Sequence, residues 1–289
     1  MTSPIAGCYH LVATEDDAGT TYDILSPTEH VGSPWGPGIQ HGGPPAGLLV
    51  RAMDRLDPQP DARIAKVSVD LLGAVPMSEV RVTARVLRPG RRITLLGARL
   101  EAEQPDGSWR AVAQATAWRQ ATQPTDDVVH LVAPREDLPA DLSEDVPGGT
   151  ASGAIDQALP EAWEPVGFVN ALSWRVTRPF GGGPDGGPSA AWVRLDQPLV
   201  AGEETSPLEA VVMIADVTNG VGARLDPVRF SFLNTELTVH LHDVPKGPWF
   251  GVVAETTVGA DGVGMGSAVL HDSSGPIGRV AQSLLIERR

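Results

Sequence analysis

The chain has 289 residues, enough for one large domain or for two smaller ones, each with its own core. Hydrophobic residues make up 42% and charged ones 20%, ordinary for a globular protein, while 36 acidic against 22 basic residues give a formal charge of −14. That balance argues against nucleic acid and anionic membrane as partners, because both need clustered Lys and Arg; an anionic ligand would require a local basic patch or a helix N-terminus. Cys8 stands alone, so neither a disulfide framework nor a Cys-x-x-Cys metal site is expected. The first ten residues lack a basic region followed by an apolar run, and no apolar stretch approaches the roughly 20 residues that span a bilayer. No signal peptide, no membrane span and a cytoplasmic location are the expectations.

Residues 1–40 read as irregular chain with one strand near Thr20–Leu25. A helix is expected over 41–56, with Pro44 or Pro45 in its first turn and Leu48, Leu49, Ala52, Met53 and Leu56 at helical spacing. Four β-rich runs follow, Ile64–Leu72, Val80–Leu87, Ile93–Glu103 and Trp109–Trp118, separated by turn signals such as Arg88-Pro-Gly90. One helix followed by consecutive strands implies an antiparallel sheet wrapped on a helix. Residues 121–162 are rich in Asp, Pro, Gly and Ala and show no period; they read as an acidic linker that adds little to the core.

The second half begins with an expected strand at Val166–Thr177 and another at Ala190–Leu195. Ser206-Pro207-Leu208-Glu209 has the form of a capping box, and the helix expected from Pro207 to about Val221 is apolar on nearly every side. Strands at Phe230–His242, Phe250–Val258, Met265–His271 and Ile277–Ile286 repeat the order of the first half. Three landmarks recur at nearly constant spacing: Val-Ala-Gln ending at Gln114 and Gln282, Val-Pro at Pro76 and Pro245, and Val82 with Ala84 against Val252 with Ala254. Such recurrence marks a duplicated unit, in which Gln114 should superpose on Gln282. By the same spacing Asp216 falls opposite Gly47, so the copies differ chemically at that point.

Beyond the cap, Asp216 is the one charged side chain in this apolar helix before Arg224. A buried carboxylate must be paired, for instance with an Arg, must cap something, or must be used in its perturbed state. Alternation in the last strand puts Gln282 on the apolar face with Val280 and Leu284. There it is either a satisfied core amide or the group that orients a water or carbonyl beside Asp216. Asn234 and Thr235 are neighbours in a strand, so only one faces inward, and alternation gives Thr235 the face of Leu237, Val239 and Leu241. His41-Gly42-Gly43 precedes the first helix, where free amides can bind an oxyanion or simply form a turn. His240 and His242 share a strand face without a third ligand at recognisable spacing, so no metal is expected. The nucleophile elbow, the P-loop and the dinucleotide fingerprint are absent, and no cofactor is expected.

Four stretches together resemble a known family: Pro37-Gly-Ile-Gln-His-Gly-Gly-Pro-Pro-Ala-Gly-Leu-Leu49, Ala215-Asp-Val-Thr-Asn-Gly220, Asn234-Thr-Glu-Leu-Thr-Val-His-Leu-His242 and Gly278-Arg-Val-Ala-Gln-Ser-Leu-Leu285. Their content and order are similar to the type II acyl-CoA thioesterases. The resemblance implies an α+β double hotdog, with units at 1–120 and 163–289, and a homo-oligomer. It implies hydrolysis of an acyl-CoA or acyl-carrier thioester by a water held by Asp216, Gln282 and a strand Thr. That third position falls on Asn234 here, with Thr235 one residue later. Backbone amides near Gly42 and Gly43, with His41 beside them, would face the substrate carbonyl. Two other classes stay open. A hotdog dehydratase or other acyl-group enzyme of a biosynthetic pathway would need a His near Asp216, with His41 or His240 as candidates. A non-catalytic acyl-binding protein would pair Asp216 with an Arg.

Overall fold

The structure, a computed structural model, describes residues 6–131, 136, 137, 139, 142, 167–182 and 186–289. In chain order the first half gives β1 (Tyr9–Asp17), β2 (Thr20–Pro27), α1 (Gly43–Arg55), β3 (Ala62–Leu71), β4 (Val80–Arg88), β5 (Ile93–Glu103) and β6 (Trp109–Ala121). The second gives α2 (Gly167–Asn170), β7 (Leu172–Arg178), β8 (Ser189–Leu195), α3 (Pro207–Ala215), α4 (Thr218–Val221), β9 (Phe230–Asn234), β10 (Glu236–Leu241), β11 (Phe250–Val258), β12 (Val263–Asp272) and β13 (Gly275–Arg288).

All the strands join one sheet in the order β1-β2-β4-β5-β6-β3-β10-β13-β12-β11-β8-β7, with β9 also pairing β13. Every pairing between named strands is antiparallel. Read from its outer edge inward, the first half runs first, second, fourth, fifth, sixth, third strand; with β9 set aside, the second half runs in the same order. The duplication seen in the sequence is therefore a duplication of topology. The halves meet where β3 pairs β10, from Asp70↔Glu236 to Lys66↔His240, so neither leaves that edge unpaired.

The helices lie together on one side of this sheet. α1 packs on β3 to β6, α3 on β8, β10 and β11, and the two helices pack on each other. They run antiparallel: the start of α1 meets the end of α3, and Arg51 and Arg55 near the end of α1 bind Glu203 just before α3. Glycines set the spacing. A Cβ on Gly43 would sit 2.7 Å from the Met213 carbonyl oxygen, and one on Gly47 would sit 2.7 Å from Met213 Cγ. The capping box is present, with Ser206 Oγ accepting from the Glu209 N–H at 3.2 Å and Glu209 Oε2 accepting from the Ser206 N–H at 3.1 Å.

Several expectations need correction. β1 was not anticipated, because an edge strand exposed on both faces carries no apolar alternation. The strand expected from Val166 begins only at Leu172, since Gly167–Asn170 form a helical turn. Gly167 belongs there because a side chain would strike the Glu29 carbonyl oxygen. The long apolar helix stops at Ala215 and resumes at Thr218, whose Oγ1 donates to the Ala215 carbonyl at 2.8 Å and competes with the backbone ladder. Counted from the caps Gly42 and Ser206, Asp216 corresponds to Ala52, so the match to Gly47 taken from strand spacing does not hold. Most of the expected linker, 121–162, lies outside the described residues. Of those described, Leu142 is buried with Trp192 and Trp249, and Glu136 pairs with Arg178, so this segment does contribute packing to the second half.

Arg119 closes α1. Its Nη1 donates to the Leu56 and Asp57 carbonyls at 2.9 and 2.7 Å, and its Nη2 to Met53 and Asp54 at 3.0 and 3.2 Å. A buried guanidinium thus satisfies four carbonyls at the negative end of the helix dipole. Arg119→Met keeps the stem and removes all four donors. Denaturant unfolding should show a loss of about 2–4 kcal/mol, and a change within about 0.5 kcal/mol would contradict this role.

Candidate active site

Asp216 is the C-cap of α3 and 2% exposed, placed where the end of α3 abuts the start of α1. Three side chains from three other segments converge on it. Asn234, the last residue of β9, donates from Nδ2 to Asp216 Oδ1 at 2.7 Å. Gln282 of β13 donates from Nε2 to the Asp216 backbone carbonyl at 3.2 Å and to Oδ1 at 3.4 Å. His41, in the loop before α1, places Nδ1 2.8 Å from Asp216 Oδ2. Among the described residues no Lys or Arg forms an ion pair with Asp216, so the arginine partner of the structural alternative is missing.

Local structure explains each position. The His41 N–H is tied to the Val31 carbonyl at 2.7 Å, and its ring lies 4.8 Å from that of Phe168 on α2. Gln282 sits opposite Gly266 of β12, where a Cβ would come 3.3 Å from Gln282 Oε1. Gly42 approaches equally closely: a Cβ there would stand 2.8 Å from Asp216 Oδ2. Glycines at 42 and 266 thus leave room for the two functional groups.

His41 Nδ1 has two competing neighbours, Asp216 Oδ2 at 2.8 Å and the Gly43 N–H at 3.2 Å. With a proton on Nδ1 the ring donates to Asp216, and the Gly43 amide is released. Without it, Nδ1 accepts from Gly43. Among the described residues the buried Gln282 Oε1 accepts no hydrogen bond, and Asp216 Oδ2 has the His41 contact and no other ion-pair partner. Two acceptors held this way suit a small molecule with two O–H donors.

The alternation that pointed Thr235 inward fails because the strand breaks there. Thr235 gives its N–H to the Ser283 carbonyl and accepts the Leu71 N–H, each at 3.0 Å, and its side chain is exposed. The break re-phases the chain, so that Phe232 and Asn234 before it and Leu237 and Val239 after it all face inward. Gln114 is likewise not the counterpart of Gln282. Register against β5 steps from Leu100↔Ala113 to Glu101↔Ala111, a bulge at Val112, and β13 has the matching bulge at Ile277, where Leu270↔Gly278 steps to His271↔Pro276. Aligned on these bulges, Gln282 corresponds to the buried Ala117, while Gln114 faces outward and binds Asp70 at 3.2 Å.

His240 and His242 are exposed, and His242 Nε2 lies 2.9 Å from the Pro276 carbonyl. Among the described residues no group of three or more His, Cys, Asp or Glu is placed to hold a metal. Burial pushes the Cys8 thiol up to about 12, which removes it as a nucleophile at neutral pH. Among those residues, no helix is long and apolar enough to cross a membrane.

Comparison with known families decides the identity of this arrangement. Residues 31–120 match the acyl-CoA thioesterase N-terminal domain, and residues 137–286 match the acyl-CoA thioesterase C-terminal domain. The chain belongs to the acyl-CoA thioesterase family. It is an acyl-CoA thioesterase-like hydrolase. No curated protein matches the chain. Solved structures that do match include a conserved hot dog fold protein of unknown function from Alicyclobacillus acidocaldarius, at TM-score 0.70 and 15% identity, covering 95% of this chain and 96% of that one. They also include an acyl-CoA thioesterase II, TesB2, from Mycobacterium marinum, at 0.62 and 15%, covering 96% of each chain. A tesB protein from Mycobacterium avium subspecies paratuberculosis aligns at 0.60 and 14%, covering 95% of this chain and 96% of that one. These likenesses establish the hotdog fold.

Thr235 and Asn234 can be told apart by experiment in this thioesterase-like chain. Thr235→Val should leave turnover within about twofold of wild type, whereas Asn234→Ala, which strips a hydrogen bond from a buried carboxylate, should lower it at least about tenfold. Loss of turnover in Thr235→Val alone would reverse the assignment.

Proposed function

We propose that this protein hydrolyses acyl-CoA thioesters with Asp216 as general base, at the junction of two fused hotdog units. The observation that carries the reading is a buried carboxylate whose side-chain partners are His41, Asn234 and Gln282, with no cation of fixed charge among them. A water donating to Asp216 Oδ2 and Gln282 Oε1 satisfies both acceptors and turns a lone pair outward for attack. Its oxygen bonds to the thioester carbonyl carbon while its proton passes to Asp216. The developing oxyanion meets the start of α1, where the Gly42 N–H makes no bond among the described residues and the Gly43 N–H is freed once His41 carries its proton on Nδ1. Collapse breaks the C–S bond, the thiolate takes the proton back, and the products are a carboxylic acid and free CoA. The matching strand order of the two halves supports the double hotdog, and the topology supports placing the site between them.

One observation favours a second reading. The His near Asp216 that a dehydratase would need is present in His41, at 2.8 Å. On a 3-hydroxyacyl thioester the same pair would remove water and leave an enoyl thioester. Assays with acyl-CoA and 3-hydroxyacyl-CoA, following free thiol and enoyl absorbance together, separate the two. Thiol release without enoyl formation is expected; enoyl formation without thiol release would establish the dehydratase.

Asp216→Asn tests the base itself. The amide keeps the shape but cannot take a proton, so thiol release should fall about 10²–10⁴-fold while the melting temperature stays near wild type. A variant destabilised by about 3–5 kcal/mol, whose folded fraction remains active, would show that Asp216 serves the fold instead.

A further inference from the structure

Beside the His41–Asp216 pair runs a crevice lined by Pro34, Trp35, His41, Val169, Trp174 and the 217–221 segment that follows Asp216. Its walls are apolar. Asn219 has both polar ends engaged, Nδ2 with the Phe232 carbonyl at 3.1 Å and Oδ1 with the Gly220 N–H at 2.8 Å, so the ionisable group facing the crevice is His41. The crevice is also narrow, with free space of about 20 Å³, close to what one water occupies.

Two indoles stand among its walls, and both are braced. Trp174 donates from Nε1 to the Val169 carbonyl at 3.1 Å and meets Phe180 edge-on, with ring centroids 6.5 Å apart. Trp35 stands edge-on to Phe232 at 4.7 Å, its backbone N–H is held by Ser33 Oγ at 3.2 Å, and the Arg289 guanidinium covers its ring at 5.4 Å. An acyl group whose carbonyl sits outside this space, at His41 and Asp216, would place only its first carbons within it before meeting the indoles. We propose that this crevice is the acyl subsite and that Trp35 and Trp174 limit it to short acyl chains, making the enzyme a short-chain acyl-CoA hydrolase. The inference rests on the hydrolase reading above and adds a substrate class to it.

A chain-length series run in two ways tests it. In the first, kcat/KM is measured for wild type, Trp35→Ala and Trp174→Ala on straight-chain acyl-CoAs from acetyl to dodecanoyl. In the second, inert S-alkyl-CoA thioethers of the same lengths are titrated into the same proteins by calorimetry. Wild type should favour the short members, and each alanine variant should raise the octanoyl-to-butyryl ratio by at least about tenfold. Trp35→Phe and Trp174→Phe, which keep an aromatic wall and guard against loss of folding, should raise that ratio less than the matching alanine variants do. A wild type that prefers long chains, or a length profile unchanged in both alanine variants, overturns the proposal. Thioethers that bind with the expected length dependence while no thioester is cleaved would sink the hydrolase reading and leave the subsite standing. Cleavage indifferent to length would do the reverse.

Discussion

The close antiparallel contact between α1 and α3 is the constraint on which the rest depends. Gly43 and Gly47 remove the side chains that would hold the helices apart, and Met213 fills the space they leave. Because the contact is antiparallel, the amide-rich start of one helix meets the end of the other, and Asp216 stands at that meeting point. Sheet continuity through β3 and β10 then delivers Gln282 and Asn234 to the same place, since β13 neighbours β10 and β9 runs beside β13. A residue larger than glycine at position 43 would press on the Met213 carbonyl, and the site would open before any of its polar groups had been changed.

Burying a carboxylate without a fixed cation is costly, on the order of several kcal/mol, unless its lone pairs are met. Here Oδ1 receives two amide donors, while Oδ2 has one partner whose own proton can move. Oδ1 is thereby anchored, while Oδ2 meets the imidazole of His41. On the proposed reading that division leaves Oδ2 to take the proton of the attacking water, and an arginine there would have occupied it permanently.

Much of this was legible in the sequence because it lay in composition and local pattern. The capping box named the start of α3, a lone acid in an apolar helix named Asp216, and the alternation of β13 put Gln282 inward. What escaped were interruptions of regularity. The break at Thr235 shifts the two-residue period by one, and nothing in a single sequence marks where a strand slips, so alternation turns Thr235 inward. Val-Ala-Gln recurs out of register with the repeat: Gln114 lies two residues past the bulge at Val112 and Gln282 five past the matching bulge at Ile277, which the recurrence of three letters does not reveal. The stop in α3 was hidden similarly, since an apolar run does not reveal that the Thr218 hydroxyl takes the Ala215 carbonyl. His41 was visible beside its glycines, but its contact with Asp216 spans 175 residues and depends wholly on how the helices cross.

A duplicated fold offers two equivalent junctions, and the second one explains why there is one site. At the opposite end of the helix pair, the end of α1 meets the start of α3. There Arg51 binds Glu203 at 2.8 Å and Asp23 at 2.7 Å, Arg55 adds a further bond to Glu203, and Arg119 covers the last carbonyls of α1. The hydrogen bond from Arg51 is the main cause that holds the Glu203 carboxyl below its usual range, so this junction is built from committed charges. In α1 the position matching Asp216 is Ala52, and β6 turns Ala117 inward where β13 presents Gln282. One junction carries ion pairs that lock the helices. The other carries a carboxylate with amide and imidazole partners and glycine-lined space. The ion pairs of the first hold the helices together, which keeps water from the acid that has no fixed cation at the second.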